Sequence, residues 1–476
     1  MEYIIKNRSP ERLFRYFEEI CAIPHPSYRE EKVADYLVAF ANERGLEYYR
    51  DEMNNVLIKK PATRGEEHRS PILFQGHTDM VCEKNADVDH DFLKDPLRLF
   101  LDGDLLGAAG TTLGGDDGIA VAAMLAILDG ALAAHPPIEC LFTVCEEVGL
   151  DGAQNFDYSR ITARRLINMD SEVLGVVTAG CTGGLRSELA LQTGVEKNTH
   201  DCLEIFVHGL AGGHSGCDIH RGRANANRLM GRLLAAVPDA RLVSLNGGSK
   251  DNAIPRECRA QVSVADAAAA EKRLRDVAAE ISCEMCADDR GFSLEIIACA
   301  RAVETFDEKS THRAIAILTA TQNGVLEWHR DVDGLVEYSR NLGVVRTEEN
   351  TVIFVFSSRS SMEGRLDATV RELDALGASL GCKTHHHSRY PGWSYAPVSK
   401  VRDAYLRAYR EVTGKDCRVE VIHAGLECGI IYSRLPDMDM ISVGPTMYDI
   451  HSPSERLDLS STETFWKTIV RVVELL

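Results

Sequence analysis

The sequence Ile138-Glu139-Cys140-Leu141-Phe142-Thr143-Val144-Cys145-Glu146-Glu147-Val148-Gly149 runs from a mostly apolar segment directly into a pair of glutamates. Residues 138–144 form a mostly apolar segment that is short enough to be a buried strand. Two carboxylates directly after such a strand are costly unless a proton or a cation holds them. The segment therefore favours a strand whose end carries chemistry. The alternative is a strand end that is simply exposed to water.

Strands and helices alternate around this segment. Residues 71–76 and 165–169 are predicted to be further strands, and residues 114–133 form a small-residue helix suited to close packing on a sheet. Alternation of this kind is typical of α/β proteins. We therefore predict an α/β fold with a central mixed, mostly parallel sheet flanked by helices.

The pattern changes near residue 184 and changes back near residue 390. The intervening residues alternate more loosely and predict an α+β domain of about 200 residues, a usual domain size. Chains tolerate insertion of a domain at a surface loop. We therefore predict one discontinuous domain, residues 1–184 and 390–476, interrupted by an inserted domain, residues 185–389.

The composition excludes several classes of partner. The chain has 476 residues, with 72 acidic and 53 basic side chains and a formal net charge of −19. Such a surface should repel nucleic acid and anionic membranes. No apolar stretch reaches the roughly 18–20 residues of a membrane span, and the N-terminus is charged throughout. We expect a cytoplasmic protein whose 14 cysteines are mostly free thiols.

Histidines and carboxylates concentrate in five short motifs, which we expect to lie at strand ends of the predicted sheet. His77 and Asp79 lie two residues apart and share one face of extended backbone. A carboxylate beside a histidine is a common metal-site arrangement, although this pair alone is more often an unrelated loop histidine and aspartate. The motifs are QGHTDM (75–80), TLGGDDGIA (112–120), TVCEEVG (143–149), NMDSE (168–172) and IHSPSER (450–456).

The two aspartates in the second motif point away from phosphate binding. Its glycines are not followed by Gly-Lys-Ser/Thr, and Asp116 and Asp117 would repel a phosphate. One aspartate at a helix start is an ordinary cap, but two between glycines better suit a bridging metal carboxylate. Histidines and carboxylates without a thiolate favour a catalytic di-zinc or di-cobalt site.

Together the five motifs resemble the co-catalytic zinc peptidase family of aminoacylases and dipeptidases. The resemblance spans the whole chain, and motif order and spacing make it specific. It includes three further segments, GGHSGCDIHRGRAN (212–225), NAIPRE (252–257) and HAGLECG (423–429). The resemblance implies a zinc-peptidase catalytic domain and identifies the inserted domain as a lid.

The resemblance also implies two Zn²⁺ per subunit, with Co²⁺ or Mn²⁺ as substitutes. Asp116 would bridge the two ions. His77 and Asp170 would complete the site of one ion, and Glu147 and His451 that of the other. In the family the peptide bond after the bridging aspartate is cis, which corresponds here to Asp116–Asp117.

Further roles follow from the same resemblance. Glu146 would be the general base, taking a proton from the water that bridges the zinc ions and so giving the attacking hydroxide, and Asp79 would support His77. The candidate substrate contacts are His214, Arg359, Asn252 and Gly425. His214 would stabilise the oxyanion and Arg359 would bind the C-terminal carboxylate.

The implied activity is hydrolysis of Xaa-His (carnosine-type) and other dipeptides, by a homodimer formed through the lid. An N-acyl amino acid hydrolase or a tripeptidase would use the same metals and base. A non-catalytic metal-dependent binding protein is a further alternative, but it would be expected to lack the base or a ligand. Arg340 stands where relatives usually have an apolar residue, and it is expected to be a second carboxylate contact or a surface charge. His385-His386-His387 is expected to be an exposed strand or loop.

Overall fold

The computed structural model describes residues 3–330, 332 and 334–476. The chain begins with helices, and the strands that follow build the larger part of an eight-stranded sheet. The elements up to residue 181 are α1 (Glu11–Cys21), α2 (Glu31–Glu43), β1 (Glu47–Arg50), β2 (Val56–Lys60), β3 (Ile72–His77), β4 (Leu99–Asp102), β5 (Leu105–Ala108), α3 (Gly115–Leu128), β6 (Ile138–Thr143), α4 (Asp151–Asn155), β7 (Arg165–Asn168) and β8 (Val176–Cys181).

In the middle part of the chain, long strands alternate with helices, and the strands pair antiparallel with one another. These elements are β9 (Gly183–Gln192), β10 (Val195–Lys197), β11 (Asp201–His208), α5 (Ala226–Ala235), β12 (Arg241–Gly247), β13 (Cys258–Val264), α6 (Ala267–Glu284), β14 (Ser293–Cys299), β15 (Glu304–Phe306), α7 (Glu308–Ala320), β16 (Gly324–Trp328), β17 (Val336–Glu348), β18 (Thr351–Ser360), α8 (Glu363–Leu380) and β19 (Cys382–Tyr390).

The last part of the chain completes the first sheet. Its elements are α9 (Lys400–Thr413), β20 (Arg418–Ile422), α10 (Glu427–Arg434), β21 (Asp439–Ser442), β22 (Met447–Tyr448), β23 (Arg456–Asp458) and α11 (Leu459–Leu475). Within the described residues, no helix combines the length and the apolar character needed to cross a bilayer.

The eight-stranded sheet is mixed, as predicted. Its strand order is β1-β2-β6-β3-β7-β21-β8-β20. Strands β6, β3, β7 and β21 are parallel neighbours, whereas β1, β2 and β8 pair antiparallel with their neighbours. A four-stranded sheet of order β22-β23-β5-β4 is also formed by strands from the first and last parts of the chain. The central strands are buried along their whole length, which accounts for their nearly continuous apolar sequences.

The inserted segment forms a separate nine-stranded sheet. Its strand order is β14-β11-β13-β12-β17-β18-β9-β19, and β16 pairs with β17. All of its registers are antiparallel. Buried aliphatic side chains of α5, α6, α7 and α8 pack against one face of this sheet.

The chain divides into two compact units. One comprises Met1–Cys181, Trp393–Val421 and Leu426–Leu476, and the other comprises Thr182–Gly392 and Ile422–Gly425. We did not predict the second short passage of the chain through the inserted unit, at Ile422–Gly425. The domain boundaries inferred from sequence, at 184/185 and 389/390, remain a prediction.

Close contact between β3 and α3 brings together two of the motifs that carry candidate metal ligands. A Cβ at Gly76 would lie 2.5 Å from Asp117 Oδ2 and 2.6 Å from the Ala120 Cβ. Only glycine therefore allows the strand to approach the helix this closely. Asp116 and Asp117 have non-helical backbone angles at the start of α3, so the regular helix begins at Gly118.

Candidate metal centre

The carboxyl ends of three neighbouring strands meet at one edge of the eight-stranded sheet. Strands β3, β6 and β7 are parallel, so residues at or just beyond their ends lie together. His77 is the last residue of β3, Glu147 follows β6 and Asp170 follows β7. The fold thus brings together residues that are widely separated in sequence.

The carboxylate of Asp116 lies between two histidines. Its Oδ1 is 3.0 Å from Nε2 of His77, and its Oδ2 is 3.2 Å from Nε2 of His451. His77 Nε2 also lies 3.8 Å from Asp170 Oδ1, and His451 Nε2 lies 3.1 Å from Glu147 Oε1. The structure therefore brings together all five implied ligands. They form two groups that share Asp116, each with its ligand atoms within 4.8 Å of one another.

This donor set fits a pair of divalent cations. It offers imidazole nitrogens and carboxylate oxygens without a thiolate, which suits Zn²⁺, Co²⁺ or Mn²⁺. Burial raises the pKa of Asp170 well above its usual value, and the nearby charges of Asp117 and Asp116 raise it further. Carboxylates packed this closely are stabilised by positive charge. The peptide bond between Asp116 and Asp117 is cis, as the resemblance implies.

The same excess of negative charge raises the pKa values of the two histidines. Burial opposes protonation of His77, but its hydrogen bonds with Asp116 and Asp79 outweigh burial and raise its pKa well above the usual value. Hydrogen bonds with Asp116 and Glu147 raise the pKa of His451 to about 10. Both Nε2 atoms face the shared carboxylate, where a cation could replace the proton.

Asp79 contacts both His77 and the loop after β6. The His77 Nδ1–H donates to the main-chain oxygen of Asp79 at 3.0 Å, and the Asp79 carboxylate lies 3.5 Å from the same nitrogen. That carboxylate also accepts hydrogen bonds from Ser27 Oγ at 2.7 Å and from the backbone N–H groups of Glu146 and Glu147. Asp79 therefore orients a candidate base as well as two candidate ligands.

Glu146 has the environment expected of a base that works near neutral pH. Burial raises its pKa to about 8; the charge of His77 opposes the rise, and those of Glu427 and Glu147 add to it. A carboxylate with a raised pKa accepts a proton readily at neutral pH.

Comparison with known proteins identifies the family. The sequence profile of Peptidase family M20/M25/M40 matches residues 73–475. The chain belongs to this family. The cytosol non-specific dipeptidase of Escherichia coli (strain K12) is 40% identical to the chain over 473 residues, which cover 98% of each sequence.

Solved structures agree with this assignment to the M20 family. The aminoacylhistidine dipeptidase from Vibrio alginolyticus is 37% identical, with a TM-score of 0.94 over 98% of this chain and 97% of that chain. The aminopeptidase PepT from Bacillus cereus is 16% identical, with a TM-score of 0.58 over 98% of both chains, and shows the fold alone. The predicted family, mixed α/β fold and class of enzyme, a peptide-bond hydrolase, are thereby confirmed.

The candidate substrate contacts of this M20 peptidase all lie in the inserted unit. His214 accepts a hydrogen bond from the Cys217 N–H at Nδ1, 3.1 Å away, so in the neutral ring Nε2 carries the proton. The backbone N–H of Ser215 donates to the Asn252 main-chain oxygen at 2.8 Å, so the segments of His214 and Asn252 are joined. Burial and the nearby charge of Arg359 lower the pKa of His214.

Arg359 and Gly425 share a neighbour in the inserted unit. The Arg359 Nη1–H donates to the Tyr390 hydroxyl at 2.8 Å, and its Nε–H is buried without a hydrogen-bond partner. A Cβ at Gly425 would lie 2.7 Å from the Tyr390 ring. The Tyr390 side chain therefore lies against both Arg359 and the backbone at Gly425.

Burial and position bear on two other expectations. Arg340 is not a surface charge: it is 0% exposed, and its guanidinium donates to Glu372 at 2.9 and 3.0 Å and to the Tyr338 hydroxyl at 2.8 Å. The triple histidine lies on the edge strand β19, where His386 bonds Asp374. None of its members belongs to a metal-ligating group found among the described residues.

Sequence reasoning did not assign roles to two buried glutamates of the peptidase. Glu427, at the start of α10, accepts hydrogen bonds from Gln75 and, at 2.7 Å, from Thr143. Gln75 Oε1 accepts from Asn168 at 2.7 Å, so β3, β6 and β7 are tied together beneath the metal-site residues. Burial raises the pKa of Glu427 to about 7.

Glu455 is the second such glutamate. It lies in the IHSPSER motif, is 2% exposed, and accepts backbone hydrogen bonds from residues 113–115. In the sequence, each of these glutamates is marked only by its place in a motif that already contained a candidate site residue.

Proposed function

We propose that the chain is a metallo-dipeptidase that hydrolyses Xaa-His (carnosine-type) and other dipeptides. The observation that carries the proposal is the Asp116 carboxylate, which presents one oxygen to His77 and the other to His451, beside Glu146. The dipeptide substrate is supported by the names of two relatives that are 40% and 37% identical to the chain.

Two divalent cations per subunit would be held by the residues of the two groups, Zn²⁺ in the first instance and Co²⁺ or Mn²⁺ as substitutes. His77, Asp116 and Asp170 would hold one cation, and Asp116, Glu147 and His451 the other. When bound, such cations lower the pKa of water and polarise the scissile carbonyl.

Glu146 would move the proton during hydrolysis. Its carboxylate accepts a proton from the attacking water and delivers it to the nitrogen of the leaving amine. The hydrogen bonds from the backbone N–H groups of Glu146 and Glu147 to Asp79 hold the backbone that carries this carboxyl group.

Residues of the inserted unit would recognise the substrate. We assign Arg359 to the C-terminal carboxylate, because a guanidinium held by Tyr390 keeps part of its planar fork free for a bidentate contact. His214 would stabilise the oxyanion, while Asn252 and the backbone at Gly425 would contact the peptide. The resemblance also supports a homodimer through residues 185–389 and a cytoplasmic location.

The experiment is hydrolysis of carnosine, Xaa-His dipeptides and other dipeptides by metal-reconstituted protein, with chelator-treated protein as the control. Release of free histidine that is abolished by chelator and restored by Zn²⁺, Co²⁺ or Mn²⁺ is the expected result. Turnover of N-acyl amino acids or tripeptides instead would overturn the substrate while leaving the metal site in place. Two bound metals without any hydrolysis would favour a binding protein.

A further inference from the structure

Glu455 joins two segments that are far apart in sequence. Its Oε2 accepts hydrogen bonds from the backbone N–H groups of Leu113 at 2.7 Å and Gly114 at 3.2 Å, and its Oε1 accepts from Gly115 at 2.8 Å. The residue is 2% exposed. A buried carboxylate that accepts three backbone N–H groups fixes the position of that backbone firmly.

The backbone held in this way leads directly to Asp116. Gly114 has a φ of +67°, a left-handed conformation that favours glycine. The N–H groups of residues 113–115 precede the regular part of α3, where backbone donors have no partner within the helix. Glu455 supplies that partner, so it restricts where the Asp116 carboxylate can lie.

The segment that contains Glu455 also carries His451. The backbone N–H of Glu455 donates to the Ser452 main-chain oxygen at 3.0 Å, which closes a tight turn just after the histidine. Asp116 and His451, 335 residues apart, meet at 3.2 Å between Oδ2 and Nε2. One side chain thus connects the segments that provide two ligands of the same cation.

We propose that Glu455 is a positioning residue that sets the distance between Asp116 and His451 and thereby the affinity of the cation they share. The proposal rests on the ligand assignment made under the proposed function. It requires a carboxylate, because both oxygens of Glu455 accept N–H groups. A glutamine would direct its NH₂ group at one of these donors and lose that bond.

The test is Co²⁺ binding to metal-free protein by titration calorimetry, for the wild type, E455Q and a matched control, E139Q. Glu139 is also buried, at 3% exposed, and accepts backbone N–H groups from Thr162 and Ala163 at 3.1 to 3.2 Å. It lies at the start of β6, the end of that strand remote from the ligands. Loss of a buried backbone contact is therefore common to both variants, and only E455Q changes the ligand-bearing segments.

We expect E455Q to bind one of the two Co²⁺ ions at least about tenfold more weakly, the size of effect seen when residues that support metal ligands are changed. E139Q should bind both within about twofold of wild type. Unchanged affinity for both ions in E455Q would overturn the proposal, whatever its thermal stability. Fewer than two Co²⁺ bound by the wild type would instead overturn the ligand assignment. If E455Q does not fold, E455D, which keeps the charge but shortens the reach, is judged by the same criteria.

Discussion

The Asp79 carboxylate accepts a hydrogen bond from the backbone N–H of Glu146, with 3.0 Å between Oδ1 and N. Asp79 follows the strand that ends on His77, and Glu146 follows a different strand. The contact therefore fixes the candidate base relative to a candidate ligand on the neighbouring strand. It gives Asp79 a second role beyond the support of His77.

Replacing Asp79 with asparagine should weaken both its support of His77 and its hold on the loop that carries Glu146. The amide keeps one acceptor and directs an NH₂ group at an N–H of Glu146 or Glu147. We expect D79N to lower kcat by about 10- to 100-fold or to weaken metal binding similarly. Steady-state kinetics at saturating metal, together with metal analysis, would measure both. Wild-type values for kcat and metal content would rule out the role.

Glu146→Gln tests the base directly. Glutamine keeps the size of the side chain but cannot accept the proton, so kcat should fall by about 10²- to 10⁴-fold. Since Glu146 is not one of the five proposed ligands, metal content by elemental analysis should stay at the wild-type value. Substantial turnover by a fully loaded E146Q enzyme would show that another group takes the proton.

Arg359→Met should raise KM more than it lowers kcat. Loss of a charge-assisted bond to a carboxylate costs about 1.5–3 kcal/mol, which corresponds to a rise of about 10- to 150-fold in KM. A dipeptide amide, which lacks the C-terminal carboxylate, is the matched control and should lose little. Equal losses for the acid and the amide would contradict the assignment. Y390F, which removes the hydroxyl that holds Arg359, should show a smaller effect of the same kind.

The buried His423 should make the protein less stable in acid. Burial, together with the nearby charge of Arg359, lowers its pKa to about 3, and its Nε2 lies 2.6 Å from Ser339 Oγ. In the unfolded chain the histidine takes up a proton below about pH 6.5, whereas the folded protein resists protonation down to about pH 3. The free energy of unfolding is therefore lost as pH falls through this window.

H423Q should lack this loss. On going from pH 7.5 to pH 5, the wild type should lose about 2 kcal/mol more of its free energy of unfolding than H423Q does. The reason is that about 1.5 pH units of this range lie below 6.5. Urea unfolding of metal-free protein at the two pH values measures the difference and avoids acid release of metals. A parallel pH dependence in both proteins would show that His423 does not titrate in this way.

Arg340→Met distinguishes a structural arginine from a substrate contact. The guanidinium is 0% exposed and paired with Glu372, whose side chain is 46% exposed and can remain hydrated after the change. We expect the free energy of unfolding to fall by about 1–3 kcal/mol, with kcat/KM within about threefold of wild type. A rise in KM above tenfold for dipeptides at unchanged stability would identify Arg340 as a second carboxylate contact.

The sequence predicted most of the fold because that information is local, whereas the ligand assignment came from the resemblance of the five motifs. Strand ends could be recognised from short apolar segments followed by His77, Glu146 or Asp170, and parallel strands bring such ends together. Partners that meet only in the folded chain could not be predicted. Arg340 has no feature in its strand that points to Glu372 on a helix.

The same limit applies to the buried glutamates. Glu455 reaches a loop more than three hundred residues earlier, and Glu427 likewise reaches Gln75 on strand β3. Periodicity describes which face of an element is buried, but it does not say which distant backbone an acidic side chain will meet. The short passage of the chain at Ile422–Gly425 through the inserted unit was missed for the same reason.

The bonds among Glu427, Gln75, Thr143 and Asn168 have an evolutionary consequence. Changing one member alone leaves a buried donor or acceptor unpaired, which costs about 1–3 kcal/mol, whereas changing all of them to apolar groups of similar shape costs far less. Drift at these four positions should therefore be correlated. Lineages that lose the acid at 427 should lose the amides at 75 and 168 as well.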